Sequence, residues 1–337
     1  MKRIGGLWDS FVSWDNFVLA YKNSIKGKAS QRQVRKFKKN WEQNLQRVRA
    51  LVLSGKFKTS KYREMIIHEP KERIIYKLPY SPDRIVQHAI MNILKPIMVN
   101  RFIPETYACI EGRGQHKASL KCSEYVRRNK WALKCDIRKF YPSIDQNILS
   151  EKLHRIIKDK RFMEIVDGVI FSLPGGKNCP IGNYCSQWFG NFYLSYLDSY
   201  VKRVLKCKDY ERFCDDFILF SNDKRYLSER REKIKEFVQK ELLLEFSKCD
   251  LFKTKQGVDF CGYRHFGKYV LLRKSTAKRM KRRLRRIFAN KDKYSEDYIK
   301  SSIASTKGWL KHCCSKHFER SLFYQPYAVS SRKSQSK

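Results

Sequence analysis

The sequence is short of acidic side chains and of long apolar runs, and each shortage excludes a class of protein. It carries 33 Asp and Glu against 73 Lys and Arg, a formal net charge of +40. An excess of this size exceeds what solubility requires and indicates a polyanionic partner, with nucleic acid as the first candidate. No apolar stretch approaches the roughly 20 residues of a membrane span, and the basic residues are not gathered on one amphipathic helix. A membrane protein is therefore not expected.

Signals for secretion and for disulfides are missing as well. The N-terminus, MKRIGGLWDSF, lacks the apolar core of a signal peptide. The 11 cysteines are an odd number and include no CxxC pair, so we expect free thiols in a reducing cytoplasm. The segment KHCCSKH near residue 314 offers four zinc-ligand side chains, but adjacent cysteines fit poorly around one tetrahedral ion. We expect no metal there.

Length and composition predict a globular protein of two or three structural units. The 337 residues are 42% hydrophobic and 14% aromatic, which is enough to build a core. Periodicity predicts N-terminal helices over 8–25 and 30–57, with aromatic stripes that face the core, Ser30 as an N-cap and Gly55 as a stop. A β-hairpin is predicted over 62–80. Further helices are predicted over 83–94, with Pro96 near the end, and over 145–157, 182–205, 229–246, 276–288 and 299–314.

Aspartates end two apolar segments that are predicted to be strands. WALKCDI at 131–137 alternates and ends near Asp136, and RFCDDFILF at 212–220 places Asp215 and Asp216 at the tip of a hairpin. A polar turn is one explanation, because Asp is a common turn residue. The other is a metal site: on neighbouring strands the three carboxylates would meet at one edge, where their repulsion requires cations. Two Mg²⁺ ions ~3.5–4 Å apart would neutralise them and support in-line phosphoryl transfer.

Three motifs in order then resemble those of reverse transcriptases. FCDD resembles their YxDD box, DIRKFYPSID resembles their first catalytic motif, and FCGY resembles the primer-grip turn, across about residues 60–265. The resemblance implies an α+β right-hand polymerase with fingers, a palm containing an antiparallel sheet, and a helical thumb. Phe213 and Cys214 depart from the usual Tyr and Met of the YxDD box, but neither change removes a metal ligand.

The segment IGNYCSQ at 181–187 resembles one subfamily in particular. Most reverse transcriptases carry QGxxxSP here, whereas IGxxxSQ is the signature of bacterial and phage diversity-generating retroelement enzymes. YACIEGRGQHKA, SPDRIVQHAI and LLRKSTAKRMKRR are also similar to that family, and the length leads us to expect neither an RNase H nor a maturase domain. Ile181 replaces a glutamine that contacts the nucleotide in accurate enzymes, and an aliphatic side chain cannot form that hydrogen bond.

This resemblance implies a biological role and partners. The enzyme would copy a template-repeat RNA, with errors opposite template adenine, into cDNA that diversifies a variable protein gene. It would bind RNA–DNA hybrid and a small, basic, oligomeric accessory variability determinant protein in the cytoplasm of a bacterial cell. The alternatives are a retron, group II intron or phage-defence reverse transcriptase, against which IGNYCSQ speaks, and a non-catalytic RNA-binding protein of the same fold, against which the intact aspartates speak.

The resemblance also assigns the metal site. Asp136, Asp215 and Asp216 are the expected catalytic residues, and they would hold two Mg²⁺ ions together with the backbone carbonyl of Ile137. Mn²⁺ would be able to substitute, and the substrates would be dNTPs. Asp145, in PSID, is predicted to be the N-cap of the following helix rather than a catalytic residue.

A nucleotide site follows from the same motifs. Arg73, with Lys71 as a weaker candidate, follows the PKE turn and is expected to clamp the triphosphate, a task that suits a planar bidentate donor. Tyr141 is expected under the sugar, where it would exclude a 2′-hydroxyl. A solvated hairpin charge and a core aromatic are the respective alternatives. Lys248 and its neighbours are candidates to protonate the leaving pyrophosphate. The segment before the DD hairpin contributes Ile181, Gly182 and Gln187. Gly182 would allow close approach of the nucleotide or template, and Gln187 would face the template.

The remaining expectations concern the primer and the domain boundaries. The primer grip would consist of Phe260, Cys261, Gly262 and Tyr263. The thumb would bind nucleic acid through Lys278, Lys281, Arg282 and Arg285, with an affinity that falls steeply with salt. We expect an N-terminal helical extension at 1–60, interleaved fingers and palm at 61–265 with the palm mainly at 131–150 and 181–265, a basic helical thumb at 266–325, and a disordered tail at 326–337.

Overall fold

The structure of the chain is a computed structural model that describes residues 3–68 and 72–323. Lys71 and the predicted tail at 326–337 therefore lie outside the described residues. Within the described ranges, none of the helices is both long enough and apolar enough to cross a bilayer.

The N-terminal region folds as four short helices instead of the two that were predicted. The first predicted helix is broken at Ser13, whose backbone is extended and whose hydroxyl caps the next segment. The second is broken at Asn40, and Ser30 does not cap it, whereas Gly55 does end it with a φ of 67°. The aromatic stripes face the core as predicted. The helices are α1 (Trp8–Val12), α2 (Trp14–Ile25), α3 (Arg32–Lys39) and α4 (Trp41–Leu53).

The predicted β-hairpin is present and is named the fingers hairpin, with strands β1 (Arg63–Ile67) and β2 (Arg73–Lys77). It is followed by helices α5 (Ile85–Val99) and α6 (Gln115–Arg128). Helix α5 runs through Pro96, where an end was predicted. The helix loses the one backbone bond that proline cannot donate, and burial of its apolar side chains outweighs that loss.

A four-stranded antiparallel sheet, named the palm sheet, forms the centre of the molecule. Its strands are β3 (Trp131–Ile137), β4 (Tyr210–Phe213), β5 (Asp216–Ser221) and β6 (Phe246–Lys253), in the order β4-β5-β3-β6. Leu133 and Cys135 belong to the main core on one face, whereas Ala132 joins a smaller cluster with Phe260 on the other. The helices between these strands are α7 (Phe140–Ser143), α8 (Gln146–His154), α9 (Lys160–Ile170), α10 (Tyr184–Ser199) and α11 (Lys224–Glu241).

The predicted helix over 229–246 is wrong at both ends. Helix α11 begins earlier, because Asp223 caps it by accepting a hydrogen bond from the Arg225 backbone N–H. It ends at Glu241, and Leu243 with a φ of 48° turns the chain into β6. Strand β6 begins at Phe246, the last residue of the predicted helix, which had been extended this far because of the leucines at 242–244.

The last described part of the chain forms a small sheet, which begins inside the predicted palm range, and a group of helices that lie within the range 266–325 predicted to be the thumb. The sheet contains β7 (Val258–Phe260), β8 (Tyr263–His265) and β9 (Val270–Leu272). The helices are α12 (Lys274–Ala289), α13 (Glu296–Leu310) and α14 (Lys316–Phe323). Leu284, Leu310 and Leu322, one from each helix, form a separate apolar cluster between them.

A buried ion pair fastens the hairpin β4–β5 to helix α10. Arg212 is fully buried and pairs with Asp198 at 2.6 Å, and it also donates to the side-chain oxygen of Asn191 and to the backbone carbonyl of Cys214. Asp198 accepts two further hydrogen bonds, from the hydroxyls of Thr106 and Tyr210. The network leaves both charges compensated inside the core, which is the condition under which a buried pair is tolerated.

We predict that Arg212→Met lowers the free energy of unfolding by about 3–5 kcal/mol, because Asp198 would keep a buried charge without its partner. Urea denaturation measures this loss. Arg138→Met is the matched control: its pair with Glu245 is exposed on both sides, so a change within about 0.5 kcal/mol is expected. Equal effects of the two substitutions would contradict the role of the buried network.

Candidate active site

The three aspartates meet at one end of the palm sheet. Strands β3 and β5 are antiparallel neighbours, and their register places Asp136 directly opposite Asp216. Phe213 pairs with Asp216, so Cys214 and Asp215 form the turn between β4 and β5. Cys214 accommodates this tight turn with a φ of 56°. The prediction that the two acidic segments are neighbouring strands is confirmed.

Burial perturbs both aspartates of the hairpin. It raises the pKa of Asp216 to about 6, although the Lys134 ammonium beside it acts in the opposite direction. Burial also raises the pKa of Asp215, and the nearby charge of Asp136 adds to this effect, whereas the Arg73 guanidinium lowers it. The carboxylates therefore repel one another in a poorly solvated place, and a cation would stabilise their ionised forms.

The partners of the aspartate oxygens determine whether the site fits a metal ion. Among residues 3–68 and 72–323, no three His, Cys, Asp or Glu side chains lie close enough together to enclose a cation. Asp136 instead accepts a hydrogen bond from the Ser247 hydroxyl, and Asp216 pairs through Oδ2 with Lys134 at 3.0 Å. Asp216 Oδ1 is buried and lacks a hydrogen-bond partner in the described part of the chain. Carboxylate oxygens, one of them unsatisfied, fit a hard cation such as Mg²⁺.

The structure also gives the positions of Ile137, Lys248 and Asp145, for each of which the sequence predicted a role. The pairing of β3 with β6 shifts at a bulge between Asp136 and Ile137, the position whose carbonyl was predicted to be a ligand. Lys248 is exposed and lies opposite Asp136 in the same pairing, so it is beside the carboxylate as a candidate proton donor should be. Asp145 accepts a hydrogen bond from the Ile148 backbone N–H, which confirms that it is an N-cap.

Arg73 and Tyr141 both lie close enough to Asp215 to interact with it electrostatically. Arg73 is the first residue of β2 and is exposed, and its charge acts on Asp215. Tyr141 lies on α7 and is half-buried, with its ring edge against Gly190 of α10. Burial raises the pKa of Tyr141, and Asp215 contributes to the shift. Both side chains thus lie near the aspartates, as a nucleotide site requires.

The segment at Ile181 is fixed by the fingers hairpin. The Tyr76 backbone N–H donates to the carbonyl of Ile181 at 2.7 Å. Gly182 has a φ of 121°, and the Tyr76 carbonyl occupies the space that a side chain would need there. The close approach predicted for Gly182 is therefore an approach to strand β2. Gln187 is exposed and accepts a weak hydrogen bond from the Cys109 thiol.

The predicted primer grip forms a tight turn between β7 and β8. Phe260 pairs with Tyr263, and Cys261 and Gly262 form the turn, both with positive φ as in type I′ hairpins. The side chains of Phe260 and Tyr263 are fully buried, so the tip of the turn offers Cys261 and the backbone of Gly262. Gly262 packs against the Trp309 ring of the thumb.

Helix α12 of the thumb separates an apolar face from a basic one. Met280, Leu284 and Ile287 are buried against the other thumb helices. The four predicted nucleic-acid contacts lie on the same helix: Lys278, Arg282 and Arg285 are exposed and Lys281 is half-buried. These cations are thus available to phosphate groups.

Two residues of the site were missed from the sequence. Lys134 contacts Asp216, and its position two residues before Asp136 on an alternating strand was a signal that both side chains face the same way. Arg212 fixes the turn by donating a hydrogen bond to the Cys214 carbonyl, but nothing in the local sequence distinguished it from the many other basic residues. The thiols of Cys109 and Cys214 also interact, and the hydrogen bond between them lowers the pKa of Cys109 to about 7.

The comparisons with known proteins agree with this geometry. The family model described as reverse transcriptase (RNA-dependent DNA polymerase) matches residues 67–265, which is more than half of the chain. This range includes the fingers hairpin, the palm sheet and the primer-grip turn.

Individual relatives are distant. The COX1/OXI3 intron 2 protein of Saccharomyces cerevisiae is 26% identical over 36% of this chain and 15% of its own length. Protein YkfC of Escherichia coli is 25% identical over 47% of this chain and 45% of its own length. The chain thus spans less than half the length of the curated relatives it matches. The solved structure of apo telomerase from Candida tropicalis aligns with a TM-score of 0.49 and 13% identity, over 71% of this chain and 53% of that chain.

We predict that Gly182→Ala lowers the free energy of unfolding by about 1–3 kcal/mol, because an added Cβ would be strained at this φ and would meet the Tyr76 carbonyl. Gly168→Ala is the matched control. Gly168 lies inside helix α9 with open space around it, so the same substitution should stabilise the protein by about 0.5–1 kcal/mol. Urea denaturation of both variants decides, and a neutral Gly182→Ala would show that the hairpin does not constrain this segment.

Proposed function

The chain belongs to the reverse transcriptase (RNA-dependent DNA polymerase) family and has its right-hand polymerase fold, and we propose that it catalyses RNA-templated DNA synthesis. The observation that carries the proposal is the convergence of Asp136, Asp215 and Asp216 at one end of the palm sheet. A non-catalytic RNA-binding protein would have no need to keep three mutually repelling carboxylates in a half-buried place, since each charge costs free energy there.

The residues of the site suit the steps of nucleotide addition. Asp136, Asp215 and Asp216 would hold two Mg²⁺ ions, for which Mn²⁺ would be able to substitute. When bound, such ions lower the pKa of the primer hydroxyl and stabilise the charge of the leaving pyrophosphate. Arg73 approaches from the fingers and would pair with the triphosphate of a dNTP. Tyr141 would lie under the sugar of the bound nucleotide. Lys248, beside Asp136, is the candidate to protonate the pyrophosphate.

We predict that Asp215→Asn lowers Mg²⁺-dependent extension of a DNA primer on an RNA template by ~10²-fold or more, because several kcal/mol of charge stabilisation is lost. The measurement is single-nucleotide extension at saturating dNTP, with circular dichroism to show that the fold is retained. Asp292→Asn, at an exposed position of the thumb, is the control and should extend normally. Full extension by an Asp215→Asn and Asp216→Asn double variant would overturn the assignment.

Within this activity we propose the diversity-generating retroelement type. IGNYCSQ carries this finer proposal, because it places an aliphatic side chain, Ile181, where accurate enzymes hold a hydrogen-bonding glutamine. The substrate would be a template-repeat RNA, and the +40 charge suits both that RNA and an RNA–DNA hybrid. A small, basic accessory variability determinant protein would supply template specificity.

A group II intron type is the second candidate. It is favoured by the similarity to the COX1/OXI3 intron 2 protein and to the nuclear intron maturase 2 of Arabidopsis thaliana, which is 24% identical over 38% of this chain. The error spectrum of the cDNA separates the two candidates, because only the first requires errors concentrated opposite template adenine.

We predict that Ile181→Gln lowers misincorporation opposite template adenine by about tenfold. One hydrogen bond to the nucleotide is worth about 1.4 kcal/mol, which corresponds to that factor in discrimination. The test is sequencing of cDNA made from one RNA template by the wild type and by the variant. Ile181→Val is the control, because it keeps an aliphatic side chain and should keep the errors. Identical adenine error rates for Ile181→Gln and the wild type would place the infidelity elsewhere.

A further inference from the structure

Lys134 joins two parts of the site that come from distant segments of the chain. It lies on β3 two residues before Asp136, so both side chains point to the same face of the sheet. Its Nζ is 3.0 Å from Asp216 Oδ2, and the same ammonium donates to the backbone carbonyl of Asp259 on β7. The side chains of Lys134 and Asp216 are only 22% and 25% exposed, so water screens the pair weakly.

The second contact of Lys134 leads on to the thumb. Asp259 lies next to the buried Phe260 of the primer-grip turn, and its carboxylate is 3.6 Å from the Arg273 guanidinium. The Arg273 backbone N–H donates to the carbonyl of Gly262 at 3.0 Å, and Arg273 is the N-cap of helix α12. A continuous series of polar contacts therefore runs from the catalytic hairpin through one lysine to the primer grip and the start of the thumb.

We propose that Lys134 is a positioning residue that holds Asp216 in the site before a cation arrives and fixes the primer-grip turn relative to the three carboxylates. The inference rests on the proposed polymerase function and deepens it. An ammonium has three donors and no acceptor, so one lysine can serve the Asp216 carboxylate and the Asp259 carbonyl together. Asp216 also faces Asp136 across the sheet, and Lys134 offsets their repulsion, with a smaller contribution from Arg273.

The proposal has two separable consequences. Without Lys134, the Asp216 carboxylate of the metal-free protein stays poorly solvated beside Asp136 and Asp215 and loses its ammonium partner. The protein therefore becomes less stable. Added Mg²⁺ then relieves more repulsion in the variant than in the wild type. The second consequence concerns the primer: the grip turn loses its hydrogen bond to the palm, so the primer terminus binds less well whereas dNTP binding is unaffected.

The first experiment is thermal denaturation of the full chain with EDTA and with MgCl₂. Lys134→Met should melt about 3–5 °C lower than the wild type in EDTA, and MgCl₂ should raise its melting temperature by more than it raises that of the wild type. Lys253→Met is the matched control, because Lys253 is exposed at the far end of the same sheet over the Trp131 ring. Equal melting of Lys134→Met and the wild type in EDTA, or equal shifts with MgCl₂, would overturn the proposal.

A second variant keeps the test decisive if Lys134→Met alone folds poorly. In the Asp216→Asn background the carboxylate charge is absent, so adding Lys134→Met should lower the melting temperature by less than it does in the wild type. A loss as large in that background as in the wild type would mean that Lys134 does not act through the Asp216 carboxylate, and the positioning of Asp216 would be rejected.

Steady-state extension on a DNA primer annealed to an RNA template tests the primer contact. At saturating MgCl₂, Lys134→Met should raise KM for the primer–template by about 3–10-fold, the worth of one hydrogen bond, with KM for dNTP unchanged. Lys134→Arg, which keeps a cation, should recover much of the loss. Unchanged primer–template KM would remove the grip from the proposal. Absence of extension by the wild type would refute the proposed function instead, and the melting experiments would still decide the pairing with Asp216.

Discussion

A guanidinium buried under the hairpin β4–β5 is the constraint on which the site depends. Arg212 reaches Asp198 on helix α10 and the Cys214 carbonyl in the turn, so it fixes the turn that carries Asp215 to the helix behind the sheet. A two-residue turn has little structure of its own to resist a change of angle, and burial of an ion pair makes any rearrangement expensive. The position of the turn that carries Asp215 is thereby set by the core rather than by the loop.

Fixing the carboxylates in this way creates an electrostatic difficulty that other segments relieve. Asp136 and Asp216 face each other across a strand pair, and burial raises the pKa of Asp216 and of Asp215. The relieving cations come from separate parts of the fold, Lys134 from the palm and Arg73 from the fingers hairpin. Movement of the fingers or of the primer grip would therefore alter the charge balance at the aspartates.

Much of this arrangement was predictable from the sequence, and the failures have physical causes. Strand β3 alternates and ends near a charge, the hairpin at Asp215 places its aspartates between two apolar runs, and the structure has the two as neighbours. The N-terminal helices were predicted too long, because breaks at Ser13 and Asn40 depend on local caps and angles that periodicity does not record. The helix before strand β6 was predicted as far as Phe246 because the leucines at 242–244 favour a helix, whereas the chain has already turned into the strand at that residue. The contacts of Lys134 and Arg212 depend on tertiary partners at sequence distances that no local pattern reveals.

The segment at Ile181 shows how a site can vary its chemistry without changing its shape. Its position is set by backbone features: a hydrogen bond from Tyr76 to the Ile181 carbonyl, and the conformation of Gly182 against the same strand. Neither depends on the side chain at position 181, because every residue has the carbonyl that accepts the bond. Exchange of an amide side chain for an aliphatic one therefore changes what the proposed nucleotide site can recognise and leaves the backbone in place. In the proposed polymerase, a substitution at such a position would alter fidelity separately from stability.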